Sequence, residues 1–261
     1  MNNVFVIANQ KGGVGKTTTA INLAASLATF DKSVLLIDMD PQANCTSGVG
    51  VNKERLKTQI YDLLLGKDAL LSAIYPTSIP GLKIIPASMD LIGAEVELLS
   101  QPGKEQRLKP IIKRVIDNFE YIIIDCPPAL NILTINALTA SRQLLIPIQC
   151  EYYALEGIAQ LLRTIQLVKK GLNPELDIFG IVLTMYDRRL VLSEQVAKEV
   201  RRYFGDKVFD TIIDRNVKLS EAPGFGKTII EYDINSRGAQ NYLRLAMEII
   251  RLTEKGEKAN E

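Results

Sequence analysis

Histidine is absent from the 261 residues, and so is tryptophan. Without imidazole there is no Ser/His/Asp or Cys/His nucleophilic mechanism and no metal site built on histidine. Any hydrolysis must then rest on carboxylates, lysines or a bound metal ion. Cysteine is scarce: Cys45, Cys126 and Cys150 form no CxxC pair and are odd in number, which argues against a disulfide framework and suits a reducing compartment. An excess of one charge is missing too, since 31 Lys and Arg face 30 Asp and Glu for a formal net charge of +1. A polyanionic partner would have to be met by a local patch. No apolar stretch approaches the roughly 20 residues of a spanning helix, and the opening MNNVFVIANQ carries no basic leader. The expectation is a cytoplasmic globular protein, for which 47% hydrophobic residues supply a large core.

What is present is a rhythm. Short β-branched apolar runs recur at 4–8, 33–38, 82–86, 121–125, 144–148, 178–184 and 208–213, separated by segments of helical period such as 18–29, 155–169 and 192–204. Strands apolar on both faces that alternate with helices predict a doubly wound α/β fold, a mostly parallel sheet with helices on both faces. No linker or repeat interrupts the pattern, so residues 1–253 read as a single domain and 254–261 as a polar tail. Ligands of such sheets bind beyond the carboxyl ends of the strands, and that is where the chemistry-bearing residues fall.

The first strand runs into QKGGVGKTT, residues 10–18, which opens directly into a helix. Gly12, Gly13 and Gly15, with Val14 between them, let the backbone curl so that successive N–H groups face phosphate oxygens, and the helix start at Thr18 adds its partial positive charge. Lys16 would neutralise the β and γ phosphates and Thr17 would offer its hydroxyl to Mg²⁺. The strict phosphate-loop spacing needs Gly at position 10, where Gln10 stands, so the loop is a variant. A ligand-free Gly-rich turn is the bland alternative, but KGGxGK followed by Thr between a strand and a helix argues for a nucleotide. Lys11 is a second cation on the rim. It either reaches the phosphate of a facing subunit, making nucleotide a glue for dimers, or is an ordinary solvated lysine.

Two further strands end in carboxylates. Asp38 and Asp40, two residues apart where the strand ends, are expected to divide the work, one facing the site while the other ties down the loop. Asp40, next to Pro41, is the candidate for orienting or activating water and, with Thr17 and Asp125, a candidate residue of the Mg²⁺ site. Asp125 closes the apolar run YIIID and is placed to hold Mg²⁺ directly or through its water. Cys126 behind it reads as a small buried hydrophobe rather than a cluster ligand.

The runs NQKGGVGKTT, DMDPQAN and YIIIDCPP together resemble the ParA/Soj family of partition ATPases, within the deviant Walker-A class of P-loop NTPases. The similarity continues through LTINALTAS, PIQCEYYALEG and RNVKLSEAP to SRGAQNYL, nearly the whole chain. It implies ATP and Mg²⁺ as cofactors and an ATP-sandwich homodimer in which Lys11 is the signature lysine crossing the interface and Gly12 lies where the subunits approach. It implies phosphate and Mg²⁺ roles for Lys16 and Thr17, a hydrolytic role for Asp40, and the Walker-B role for Asp125. Non-specific double-stranded DNA and a stimulating ParB-type protein are the implied partners, with Arg189 and Lys218 at DNA-contact positions, and base contacts by Asp214 and Asn216. The implied location is the nucleoid. Three positions depart from the pattern: Ala43 where relatives usually have Gly, Asp214 where Pro usually precedes Arg215, and Asn235 where Pro is common.

Other readings remain open at this point. A MinD-like membrane-surface regulator would need an amphipathic C-terminal helix, yet 249–256 has few apolar residues before it turns polar. A metal-cluster carrier is disfavoured by the lack of CxxC, and a biosynthetic ligase by the lack of an extra substrate lobe. With the first strand expected from residue 4, a preceding helix-turn-helix module is not expected. Between Tyr186 and Lys218 basic residues barely outnumber acidic ones, so without the resemblance a solvated mixed-charge face would explain them.

Overall fold

The computed structural model describes residues 3–67, 69–151 and 156–258. The chain order is β1 (Asn3–Ile7), α1 (Lys16–Thr29), β2 (Val34–Asp38), α2 (Asn44–Gly48), α3 (Ile60–Leu64), β3 (Tyr75–Pro76), β4 (Leu82–Ile85), α4 (Leu91–Leu99), α5 (Leu108–Val115) and β5 (Tyr121–Asp125). There follow α6 (Ile132–Ala140), β6 (Gln143–Gln149), α7 (Glu156–Gly171), β7 (Asp177–Tyr186), α8 (Val191–Phe204), β8 (Val208–Asp214), α9 (Val217–Glu221), α10 (Ile229–Asp233) and α11 (Arg237–Lys258). All seven apolar runs are strands of one sheet in the order β3-β4-β2-β5-β1-β6-β7-β8. Every pairing is parallel except β3 with β4, and helices cover both faces as the apolar runs predict.

Strand alternation sorts the core into two layers. Val4, Val6, Leu35, Ile37, Ile122 and Ile124 point to one side, where α3 to α8 pack. Phe5, Ile7, Val34, Leu36, Tyr121 and Ile123 point to the other, under α1 and α11. Helix α1 is rich in alanine and apolar nearly all round because α11 lies over it, and the Thr19 hydroxyl shares a 3.1 Å hydrogen bond with the buried Tyr242 hydroxyl. The polar character expected from residue 254 does not end α11, which continues to Lys258. Buried Thr253 ties that helix to Tyr121 through a 3.0 Å hydroxyl contact just before the polar residues begin.

The sheet positions the site. β1 lies between β5 and β6, so the chain changes direction across β1 and leaves a crevice above its carboxyl end. Register sets Ile7 beside Asp125 and Asp125 beside Asp38, which brings two strand-ending carboxylates together at the start of the glycine loop. Residues 152–155 of the PIQCEYYALEG run and 259–261 of the expected tail lie outside the described residues. Among the described residues no helix is long and apolar enough to cross a membrane.

Candidate functional site

Above the carboxyl end of β1 is an open cleft of about 310 Å³ lined by Gly12, Gly13, Gly15, Lys16, Thr17, Thr18, Asp40, Gln42, Asn44, Pro128 and Met185. Seven of the residues expected to bind nucleotide or act on it thus share one surface. Gly13 and Gly15 sit at φ +74° and +87°, a left-handed backbone that glycine adopts without strain, and Gly15 is the residue from which α1 starts. Gly12 has no such φ, and a Cβ there or on Gly13 would meet nothing within 4 Å. Nothing in the chain's own packing requires glycine at position 12. Val14 is buried and turned away from the cleft, its carbonyl accepting from the Thr184 hydroxyl at 2.9 Å.

Lys16 is buried at the base of the loop and donates to the Lys11 carbonyl at 3.0 Å. Burial lowers its pKa, and Asp125, Cys126 and Asp40 act against that. Lys11 itself stays on the rim, partly exposed, with its ammonium 3.4 Å from Glu151 and its N–H donating to Asn9.

The carboxylates divide although residues two apart in an extended segment share a face, because β2 ends at Asp38 and Asp40 lies beyond the strand. Asp38 is fully buried and accepts from the Asp40 N–H, the Thr46 N–H and the Thr46 hydroxyl at 2.7–3.0 Å. Burial nevertheless pushes its pKa up to about 6. Asp40 faces the cleft and accepts from the Gln42 N–H at 2.9 Å. Asp125 is buried with both carboxylate oxygens unpartnered. Its pKa is well above the usual range, first through burial and then through Asp38, while Thr17 and Lys16 pull it down. The Thr17 hydroxyl is close enough to be felt yet closes no hydrogen bond to either oxygen.

A buried carboxylate without donors is costly unless a cation answers it. Asp125 and the adjacent Thr17 hydroxyl therefore form a donor pair suited to a divalent cation. Among the described residues no three His, Cys, Asp or Glu side chains are placed to hold a metal ion by themselves. Mg²⁺ usually takes one or two protein oxygens and completes its shell with phosphate and water. Cys126, Cys45 and Cys150 are free and buried, and burial raises all three thiol pKa values.

The remaining expected residues lie beside this cleft rather than in it. Met185, at φ +51°, ends the cleft, and Tyr186 begins a second cavity of about 420 Å³ that Arg188, Arg189, Arg215 and Arg237 share with Asp187 and Asp214. Asp214 is buried and faces the Arg188 and Arg237 guanidinium groups at 3.3 and 3.8 Å. The Asn216 side chain caps α9 by accepting from the Lys218 N–H. Arg189 forms a two-pronged pair with Asp187 at 2.7 and 2.9 Å, holding that carboxyl below its usual range, and Lys218 pairs with Asp233. Both candidate DNA contacts thus carry a carboxylate partner within the chain.

The departures have structural counterparts. Ala43 holds φ +51° at the start of α2, a conformation glycine adopts more readily. The Asn235 N–H donates to Asp233 at 3.0 Å, a bond proline would lack. Sequence reading missed Gln42, Asn44, Pro128 and Met185 in the cleft and Thr46 behind Asp38. Gln42 and Asn44 stand in the run DMDPQAN that begins at Asp38, and Pro128 in the run after Asp125, whereas Met185 and Thr46 carried no signal. A cavity of about 410 Å³ near Val4 and Arg142, at the amino ends of the strands, contains none of the site residues, and ligands of this architecture bind at the other end.

Comparison with known proteins places these features in context. Residues 2–178 match the family model described as an AAA domain. The chromosome partitioning protein ParA of Caulobacter vibrioides (strain NA1000 / CB15N) is 53% identical over 249 residues, covering 95% of this chain and 93% of that protein. The sporulation initiation inhibitor protein Soj of Bacillus subtilis (strain 168) is 54% identical over 249 residues, covering 95% and 98%. Among solved structures, cobyrinic acid a,c-diamide synthase from Mycobacterium smegmatis with bound ADP and magnesium superposes with a TM-score of 0.86 at 36% identity, covering 98% of this chain and 97% of that one.

Proposed function

Because this chain belongs to the ParA and Soj family of chromosome-partitioning ATPases, we propose that it works as an ATP-driven switch for chromosome or plasmid segregation. It hydrolyses ATP with Mg²⁺, pairs into a sandwich dimer when ATP is bound, holds DNA without sequence preference in that state, and releases it when a ParB-type partner accelerates hydrolysis. The observation that carries the reading is the buried, unpartnered Asp125 carboxylate beneath a glycine loop whose lysine is itself desolvated.

Each residue has a defined task in this reading. Lys16 leaves the Lys11 carbonyl to meet the β and γ phosphates, and the N–H groups of 12–18 cradle them. Thr17 and Asp125 would hold Mg²⁺. Bound there, the ion would neutralise charge on the phosphate oxygens. Asp40 orients the attacking water and accepts its proton, and Asp38 keeps Asp40 in place through the Asp40 N–H and the Thr46 contacts. Asp214 and Asn216, beside the cleft, are assigned to the base, with Asp214 held by Arg188 and Arg237.

Lys11 supports the dimer. It sits on the rim, and among the described residues its ammonium pairs with the exposed Glu151, a contact of small energy that a facing triphosphate can replace. Gly12 supports it from another direction, because open space is kept at a position where the fold itself does not demand glycine. For DNA, Arg189 and Lys218 exchange Asp187 and Asp233 for backbone phosphates, and two copies double the number of such contacts. The action belongs in the cytoplasm, on the nucleoid. The direct test is DNA retention with ATP, with ADP and without nucleotide across a salt series. Binding that needs ATP and falls steeply with salt supports the reading; binding indifferent to nucleotide contradicts it.

A further inference from the structure

Helix α4 buries Leu91, Ala94 and Leu98 against the core and, together with the turn before it, presents a second apolar stripe outward. Met89, Ile92, Val96 and Leu99 are 58%, 49%, 69% and 58% exposed. At 100° per residue these four fall within about 80° of arc, nearly opposite the buried face. The stripe is about 15 Å long at 1.5 Å per residue, long enough for three turns of a facing helix. Single exposed apolar residues are ordinary, but a continuous row of four along one helix marks an interaction surface.

Acidic residues flank the row on both sides. Glu95 borders one edge, and Asp90 and Glu97 border the other. Their hydrogen-bond partners are neutral: Asn131 for Glu95 at 2.5 Å, Gln59 and Ser88 for Asp90, and Tyr61 for Glu97. Among the described residues none of the three has a salt-bridge partner, and Lys104 at the far end donates to the Leu99 carbonyl. An anionic lipid surface would be repelled by these carboxylates. A second copy packed stripe on stripe about a two-fold axis would set like charges against each other. The complement is a helix with one apolar face and lysine or arginine along its edges.

We propose that this stripe is the docking site for a basic amphipathic helix of the protein that stimulates hydrolysis. The identity of that partner rests on the partition-ATPase reading; the chemistry of the surface does not. The location suits regulation. Asn131, bound to Glu95, caps α6 three residues after Pro128, which lines the nucleotide cleft. Glu95 also lies within electrostatic reach of Asp40.

The test has two arms, both on the full chain. In the first, a labelled synthetic Leu/Lys amphipathic helix of about four turns and its Leu/Glu counterpart are titrated onto wild type and Val96→Lys. The Leu/Lys helix should bind wild type at least tenfold tighter than the Leu/Glu helix, and Val96→Lys should lose at least tenfold. Equal binding of both helices, or no effect of the substitution, overturns the surface. In the second, turnover is measured with and without a ParB-type partner. Val96→Lys should lose at least tenfold in stimulation with unstimulated turnover unchanged, whereas full stimulation overturns the assignment. Loss of the ATP-dependent dimer in Val96→Lys also overturns it, in favour of a second copy as occupant. If wild type shows no stimulation at all, the partition reading fails, and the peptide arm alone decides the surface.

Discussion

Asp125 binds its proton more tightly in the folded protein than in an unfolded chain, because burial and then the Asp38 charge penalise its ionised form more than Thr17 and Lys16 favour it, and Asp38 does so with a folded pKa of about 6. For an acid whose pKa rises on folding, the stability gained from that proton is complete below the ordinary carboxylate range and disappears as pH climbs through the folded pKa. The nucleotide-free protein should therefore lose stability as pH rises from about 4 through about 6, the folded pKa of Asp38, as followed by thermal unfolding. Asp125→Asn should remove part of the penalty and stabilise the nucleotide-free protein by about 1–3 kcal/mol at pH 8, with a smaller gain at pH 5, while abolishing Mg²⁺-dependent nucleotide binding. A variant less stable than wild type at pH 8 would show that Asp125 is not an unanswered charge. Lys16→Ala should lose ATP binding in equilibrium dialysis. Asp40→Ala should keep ATP but turn over about 10²–10⁴-fold more slowly; near-normal turnover would remove Asp40 from its role. These residues were legible in the sequence because each follows an apolar strand. Thr46, which donates twice to Asp38 from eight positions away, was not, since no local period links a loop hydroxyl to a strand-ending carboxylate.

Among the elements, the seven parallel strands were readable because strands covered on both faces are continuous β-branched runs. β3 was not. It is a two-residue antiparallel edge containing Pro76, too short for any period and with a residue usually confined to sheet edges. The C-terminal helix outlasts the polarity expected to end it because α11 needs only one apolar face, and Tyr242, Leu245, Ala246 and Ile249 supply it. Glycines separate fold from function at this scale. A Cβ on Gly180 in β7 would come within 2.3 Å of the Phe209 ring from β8, so Gly180→Ala should destabilise by about 1–3 kcal/mol through overpacking, read from the denaturant midpoint. Gly12→Val places its side chain in open space and should leave the midpoint within about 0.5 kcal/mol while impairing ATP-dependent pairing. An unchanged midpoint for Gly180→Ala would mean that Phe209 moves aside at no cost.

For the whole molecule, a net charge of +1 leaves any DNA contact to local cations, and the two candidates are paired within the chain. Arg189 is held by Asp187 and Lys218 by Asp233, pairings the sequence did not reveal for Asp233 because α9 and α10 meet only in the fold. Arg189→Glu should weaken ATP-dependent DNA retention without disturbing ATP-dependent pairing, as read by gel shift and light scattering; undiminished retention would move the DNA surface elsewhere. Both that outcome and the regulation by a partner presuppose that ATP joins two copies through Lys11. The decisive measurement is the solution mass of Asp40→Ala protein with saturating ATP and Mg²⁺, compared with the same protein carrying Lys11→Ala. The account predicts twice the 29.0 kDa chain mass for the first and a single copy for the second. A single copy in both, even at high protein concentration, would contradict it.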